Sequence, residues 1–100
     1  MLVTVYFSDI NSLPVTGLTP TISIYDLDSN TRTINAVAMT EVSNTIAQGW
    51  YKYDYTTIDL SHSYTVNVDG GAIITTPSLR YQVGVLSPML PEVPAVDFGS

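Results

Sequence analysis

The chain of 100 residues holds few of the side chains that enzymes use most, with one histidine and no cysteine. Catalysis by a histidine-activated nucleophile needs a serine or cysteine beside the ring, and a catalytic zinc needs three protein ligands. His62 lies within Leu60-Ser61-His62-Ser63, just before a predicted strand, and no nucleophile elbow is present. We interpret His62 as a solvated loop residue, and we expect no catalytic residue, no cofactor and no metal.

An acidic turn is the second candidate for chemistry. Asp26-Leu27-Asp28-Ser29-Asn30 matches the opening of a calcium loop, but Thr31 replaces the expected glycine and Val37 the expected glutamate. The segment is more typical of an Asx turn, in which a carboxylate bonds its own backbone. A looser calcium site that draws on Asp69 or Asp9 stays open. The other acids lie mostly in turns, so a cleft with paired carboxylates is not expected.

Trp50 is the third candidate, because it is the one tryptophan of the chain. With Tyr25 or Tyr6 it would form an exposed aromatic platform for a sugar. Tryptophan and tyrosine are also enriched at the hot spots of protein interfaces. We favour the second interpretation, in which Trp50 lies at a contact between subunits.

Alternating apolar and polar residues predict the strands that must position these side chains. Tyr51, Tyr53 and Tyr55 share one face of a predicted strand and are expected to point into the core, with hydroxyls near its rim. Residues 39–43 continue the third strand or form a separate one, and residues 72–77 are an edge strand or a loop. The pattern predicts an all-β sandwich of six to seven strands, with segments at 2–7, 21–25, 31–38, 50–55, 64–68 and 79–85.

The C-terminal stretch has a different composition. Its prolines at positions 88, 91 and 94 favour an extended path, while apolar residues between them are more numerous than a solvated linker carries. We divide the chain into a sandwich at 1–86 and a Pro-rich arm at 87–100. The arm is predicted to lie across a neighbouring subunit, with a strap on its own domain or a disordered tail as alternatives. Its predicted contact residues are Met89, Leu90, Val93, Val96 and Phe98.

Charge excludes several partners. The formal net charge is −6, and the fixed cations are Arg32, Lys52 and Arg80. Nucleic acids and anionic membranes bind clustered cations, so we expect neither as a partner. The first residues do not resemble a signal peptide, and apolar runs are too short to span a bilayer. We therefore expect synthesis in a cytoplasm. A charged share of 12% also suits surfaces that are buried in an assembly.

Leu60-Ser61-His62-Ser63-Tyr64-Thr65-Val66 resembles the tyrosine corner of immunoglobulin-like sandwiches, where a tyrosine bonds back to nearby backbone. A longer resemblance covers roughly residues 16–84. Together these segments resemble small immunoglobulin-like domains in virion proteins of tailed bacteriophages. The longer resemblance rests on Gly17-Leu18-Thr19-Pro20, Met39-Thr40-Glu41-Val42, Gly49-Trp50-Tyr51-Lys52-Tyr53, the run from Tyr64 to Gly71, and Arg80-Tyr81.

The resemblance implies a non-enzymatic structural protein of the virion. We expect a capsid decoration or cement protein that binds the major capsid protein or other virion proteins. We also expect it to form a homo-oligomer, for which a trimer is one arrangement. The alternative is an adhesion or carbohydrate-binding module of the tail, neck or fibre. The arm at 87–100 has no counterpart in the resemblance.

Overall fold

The computed structural model describes residues 1–86 and 96–98, the last three by their backbone alone. Within this part the chain forms eight β-strands and one helix of four residues. In chain order the elements are β1 (Leu2–Tyr6), β2 (Thr21–Asp26), β3 (Thr31–Ala38), β4 (Thr40–Glu41), β5 (Trp50–Asp54), β6 (Tyr64–Asp69), α1 (Pro77–Arg80), β7 (Tyr81–Leu86) and β8 (Val96–Phe98).

The strands form two antiparallel sheets. The smaller sheet has the order β1-β5-β4, and the larger has the order β3-β2-β6-β7-β8. The predicted all-β fold is confirmed. The strand count exceeds the predicted six to seven because β4 is separate from β3 and because β8 lies in the segment that was assigned to the arm.

Buried side chains from both sheets form one core. Val3 and Val5 of β1 are buried, and the alternation extends to Phe7. The side chains of a strand point alternately to its two faces, so every second residue enters the core. The larger sheet contributes Ile22, Ile24, Val66 and Val68.

The tyrosines of β5 anchor this core as expected. Tyr51 is buried, Tyr55 just after the strand is buried as well, and Tyr53 packs half-buried against the cluster. The Tyr51 hydroxyl donates to the Val15 carbonyl at 2.8 Å and accepts from the Leu18 N–H at 3.1 Å. A buried tyrosine hydroxyl needs such partners, and here they come from the loop between β1 and β2.

The predicted tyrosine corner is present. The buried Tyr64 begins β6, and its hydroxyl accepts a hydrogen bond from the Asp59 N–H at 2.8 Å and donates to the Asp59 carbonyl at 3.1 Å. Its ring packs edge-on against Tyr55, with centroids 5.6 Å apart. The corner thus fixes the loop that links the smaller sheet to the larger one.

The last predicted strand begins later than expected, and its apolar residues face outward. Leu79 lies in α1, a turn that starts at Pro77, where proline suits the first helical position. The register pairs Gln82 and Gly84 of β7 with the buried Val68 and Val66 of β6. These positions therefore face the core, and the alternate residues Tyr81, Val83 and Val85 are about half-exposed.

The expected face of β3 is interrupted. In a regular strand Ile34, Ala36 and Ala38 would share one face. The pairing with β2 shifts register on both sides of Ile24, however, and Ala36 has a φ of 50°. Such an irregularity moves later side chains off the shared face. Ile34 alone of the three packs against the core.

Candidate functional site

The outer face of the smaller sheet carries an aromatic pair. Tyr6 of β1 and Trp50 of β5 lie opposite each other in the register, with ring centroids 5.2 Å apart and planes tilted by 47°. Trp50 is 44% exposed. Cross-strand aromatic neighbours stabilise a sheet, and this pair leaves ring surface open to solvent. The pair consists of two residues that the sequence suggested for an aromatic platform, and whether it binds a sugar or a subunit stays a prediction.

The structure selects between the two predicted partners of Trp50. Tyr6 lies beside it, whereas Tyr25 belongs to the larger sheet, where its hydroxyl bonds Asn30. Trp50 as an interaction residue stays a prediction, but its neighbour is now identified.

Polar groups continue the same outer face. The alternation of β5 directs Lys52 and Asp54 outward together with Trp50, and Lys52 lies between Thr4 and Thr40 in the register. An open groove of about 310 Å³ runs beside them, with Lys52, Asp54 and Thr40 in its wall. Aromatic surface beside hydrogen-bonding groups is suited to binding a sugar or a polar protein surface.

His62 is not the solvated loop residue that we expected. Its side chain is 29% exposed, its Nδ1 lies 2.7 Å from Asp26 Oδ2, and its Nε2 lies 3.4 Å from Asp59 Oδ2. Asp26 is buried at the end of β2, and a buried carboxylate needs a partner. Because carboxylates engage both ring nitrogens, His62 does not face a serine hydroxyl as a catalytic triad requires.

The carboxylate of Asp26 also closes the turn that follows it. Its Oδ1 accepts from the N–H groups of Asp28 and Ser29 at 2.9 and 3.2 Å, which confirms the predicted Asx turn. Burial alone would raise the pKa of Asp26, but the hydrogen bonds from His62, Ser29 and Asp28 outweigh it and lower this pKa to about 2. The hydrogen bond to Asp26 in turn raises the pKa of His62.

The looser calcium site is not assembled. Asp69 forms two hydrogen bonds with Arg80, at 2.7 and 3.1 Å, and Asp9 accepts from backbone N–H groups of its own loop. Both lie at the end of the sandwich opposite to Asp26. Within residues 1–86 and the short strand β8, no group of three or more acidic or histidine side chains is arranged to hold a metal ion.

The predicted arm is described only in part. Val96 and Phe98 belong to β8, which pairs antiparallel with β7 of the same chain, Leu86 opposite Val96 and Gly84 opposite Phe98. The other predicted contact residues, Met89, Leu90 and Val93, lie outside the described residues.

Sequence reasoning missed a group of exposed isoleucines. Ile46, Ile10 and Ile73 are 94%, 79% and 76% exposed, and each lies on a different loop. The three loops adjoin at one end of the sandwich, since the Phe7 N–H bonds the Gly49 carbonyl and one groove is lined by both Ile10 and Ile73. We call this end the isoleucine end. A signal was present for Ile10 and Ile46, because turn residues flank both in the sequence and an apolar residue in a turn has no strand face to occupy. For Ile73 the sequence left an edge strand and a loop open.

Comparisons with protein-family models, curated proteins and solved structures found no significant match to this chain. In the part of the chain that the structure describes, no helix has the length and apolar character needed to cross a bilayer.

Proposed function

We propose that this chain is a non-enzymatic structural protein of a tailed-bacteriophage virion, made in the host cytoplasm and acting as a capsid decoration or cement protein. The observation that carries the proposal is the presence of two separate exposed apolar surfaces on one small domain. One is the isoleucine end, and the other is the outer side of β7, with Tyr81, Val83 and Val85. Exposed apolar patches on soluble domains mark sites of interaction, and a protein that joins subunits needs more than one.

The fold supports the likeness to immunoglobulin-like domains in two respects and departs from it in one. It has two antiparallel sheets around one core, and a tyrosine corner opens β6. In a constant-type immunoglobulin domain the second strand joins the first and fifth in one sheet. Here β2 lies between β3 and β6 in the other sheet. We propose an immunoglobulin-like sandwich in which the second strand has changed sheets.

The proposal is tested with heads of the virus whose genome encodes the chain, prepared without this protein. The purified chain should sediment with these heads and saturate at a fixed ratio to the major capsid protein. Ile46→Asp should weaken the binding, whereas Leu60→Asp, an exposed leucine at the opposite end, should leave it unchanged. Absence of binding by the wild-type chain would refute the role in capsid decoration.

The pair formed by Tyr6 and Trp50 favours one alternative, an adhesion or carbohydrate-binding module of the tail, neck or fibre. Stacking of a sugar on Trp50 would then be the main contact, with Lys52 and Asp54 as hydrogen-bonding neighbours. On a glycan array the wild-type chain should give a signal that Trp50→Ala abolishes and that Tyr81→Ala, an exposed aromatic of the other sheet, retains. An array without signal for the wild-type chain would exclude this alternative.

A further inference from the structure

The outer face of the larger sheet is low in charge for a chain with a net charge of −6. Across its three central strands β2, β6 and β7, the outward residues are neutral except Asp69, and this carboxylate is held by Arg80 in two hydrogen bonds. The neutral outward residues are Thr21, Ser23, Tyr25, Thr65, Asn67, Tyr81, Val83 and Val85.

One row of the register runs across this sheet from a basic residue on one edge strand to an acidic residue on the other. Arg32 on β3 pairs with Tyr25, Tyr25 with Thr65, Thr65 with Val85, and Val85 with Asp97 on β8. The row thus begins at a cation on one edge strand and ends at an acidic residue on the other. Between these two ends it crosses only uncharged positions.

We propose that this face binds a second copy of the chain, with the two copies related by a two-fold axis parallel to the strands. The inference rests on the proposed structural role, because it identifies the surface that contacts the neighbouring subunit. Such a rotation lays β3 of one copy over β8 of the other. The register position of Arg32 then meets that of Asp97 twice, once at each edge. An interface of this kind uses the same patch on both subunits.

The charge pattern favours a second copy over other partners. Two acidic chains repel each other except where their contact surfaces are neutral or complementary. This face is neutral across its central strands, and its two edge strands carry Arg32 and Asp97 in one row of the register. The described residues of the face include no cluster of acids that would attract a strongly basic partner. A nucleic acid would find no cluster of cations.

The size of the face suits a weak to moderate dimer. The five strands are spaced about 4.8 Å apart and hold 29 residues in all, at about 3.3 Å per residue, which gives a projected area of roughly 460 Å². The accessible area of the side chains exceeds this projection. A standard interface buries about 800 Å² on each partner, so this smaller face is expected to give a weak, reversible dimer.

Sedimentation equilibrium of the full chain over a concentration series tests the inference. The wild type should dimerise reversibly. Val83→Asp should raise the dissociation constant at least ~10-fold, because a charge enters the centre of the face. Leu2→Asp is the matched control, since Leu2 has the same exposure as Val83 within a percentage point (57% against 56%) but lies on the smaller sheet. It should leave the constant unchanged.

A charge swap tests the orientation of the two copies. Arg32→Asp and Asp97→Arg should each weaken the dimer, and the double variant should restore it to within ~3-fold of the wild type, because each edge again meets its opposite. Any of three results would overturn the inference. The wild type could be monomeric, its dissociation constant could be unchanged by Val83→Asp, or the double variant could dimerise no more tightly than the single variants. A monomer that still binds phage heads would refute the dimer alone, and a dimer that binds no heads would refute only the proposed function.

Discussion

Replacing Tyr64 with phenylalanine would remove a single hydroxyl from a ring that keeps its place. This hydroxyl bonds both the N–H and the carbonyl of Asp59, at 2.8 and 3.1 Å. The ring itself is buried and packs against Tyr55. The variant therefore keeps the apolar contacts of the core and loses the two hydrogen bonds of the tyrosine corner.

The expected cost follows from those two bonds. Each intramolecular hydrogen bond contributes a net ~0.5–1.5 kcal/mol. The Asp59 side chain is mostly exposed, so water can reach the freed backbone groups of this loop, and the lower half of the range applies. We expect the free energy of unfolding to fall by ~1–2 kcal/mol. For a domain of this size that lowers the melting temperature by roughly 4–8 °C per kcal/mol.

Urea denaturation followed by far-ultraviolet circular dichroism measures the loss, as a shift in midpoint at unchanged slope. Tyr53→Phe is the control, because Tyr53 is half-buried and its hydroxyl makes no hydrogen bond to any residue that the structure describes. Its midpoint should stay close to that of the wild type. If Tyr64→Phe is as stable as Tyr53→Phe, the corner does not hold the loop and the reasoning is wrong.

Further predictions concern pH and two glycines. The pKa of Asp26 is lowered from 3.8 to about 2, so the ionised carboxylate stabilises the fold above pH 3.8, and this contribution is lost as the pH falls towards 2. In urea titrations, Asp26→Asn should therefore reduce the fall in the free energy of unfolding between these two pH values. The pKa of His62 is raised above 6.5, so the protonated ring stabilises the fold below pH 6.5, and this contribution is lost as the pH rises through the pKa of the folded protein. His62→Gln should remove this decline in the free energy of unfolding. Gly49→Ala should lower stability in thermal denaturation by ~2–3 kcal/mol, because its φ is 83° and a Cβ would lie 2.8 Å from the Phe7 carbonyl oxygen. Gly17→Ala, with a φ of 72° and open space around it, should cost only ~1 kcal/mol.

Local patterns predicted the strands and the tyrosine corner well. Alternation with a period of two depends on neighbouring residues alone, so Val3 and Val5 could be assigned to one face from the sequence. The corner is local as well, since Tyr64 bonds a residue five positions earlier. Neither the alternation nor the corner depends on which strands pair.

Features that depend on strand pairing could not be predicted in the same way. An alternating strand has two faces, and the pattern of β7 does not say which one is covered. Its inner face carries Gln82 and Gly84, which only the register with β6 reveals. The choice of Tyr6 over Tyr25 as the neighbour of Trp50 likewise depends on the pairing of β1 with β5.

His62 shows how burial of one group determines the role of another. The polar residues on either side of His62 in the sequence predict a solvated side chain. Asp26 stands 36 positions earlier and is buried at the end of β2, an inner strand of the larger sheet that lies between β3 and β6. A carboxylate held there needs a donor at its outer oxygen, and the loop after β5 brings His62 within 2.7 Å of it. The histidine therefore serves to hold the loop against the sheet, a role that follows from the strand order and that the residue types alone do not disclose.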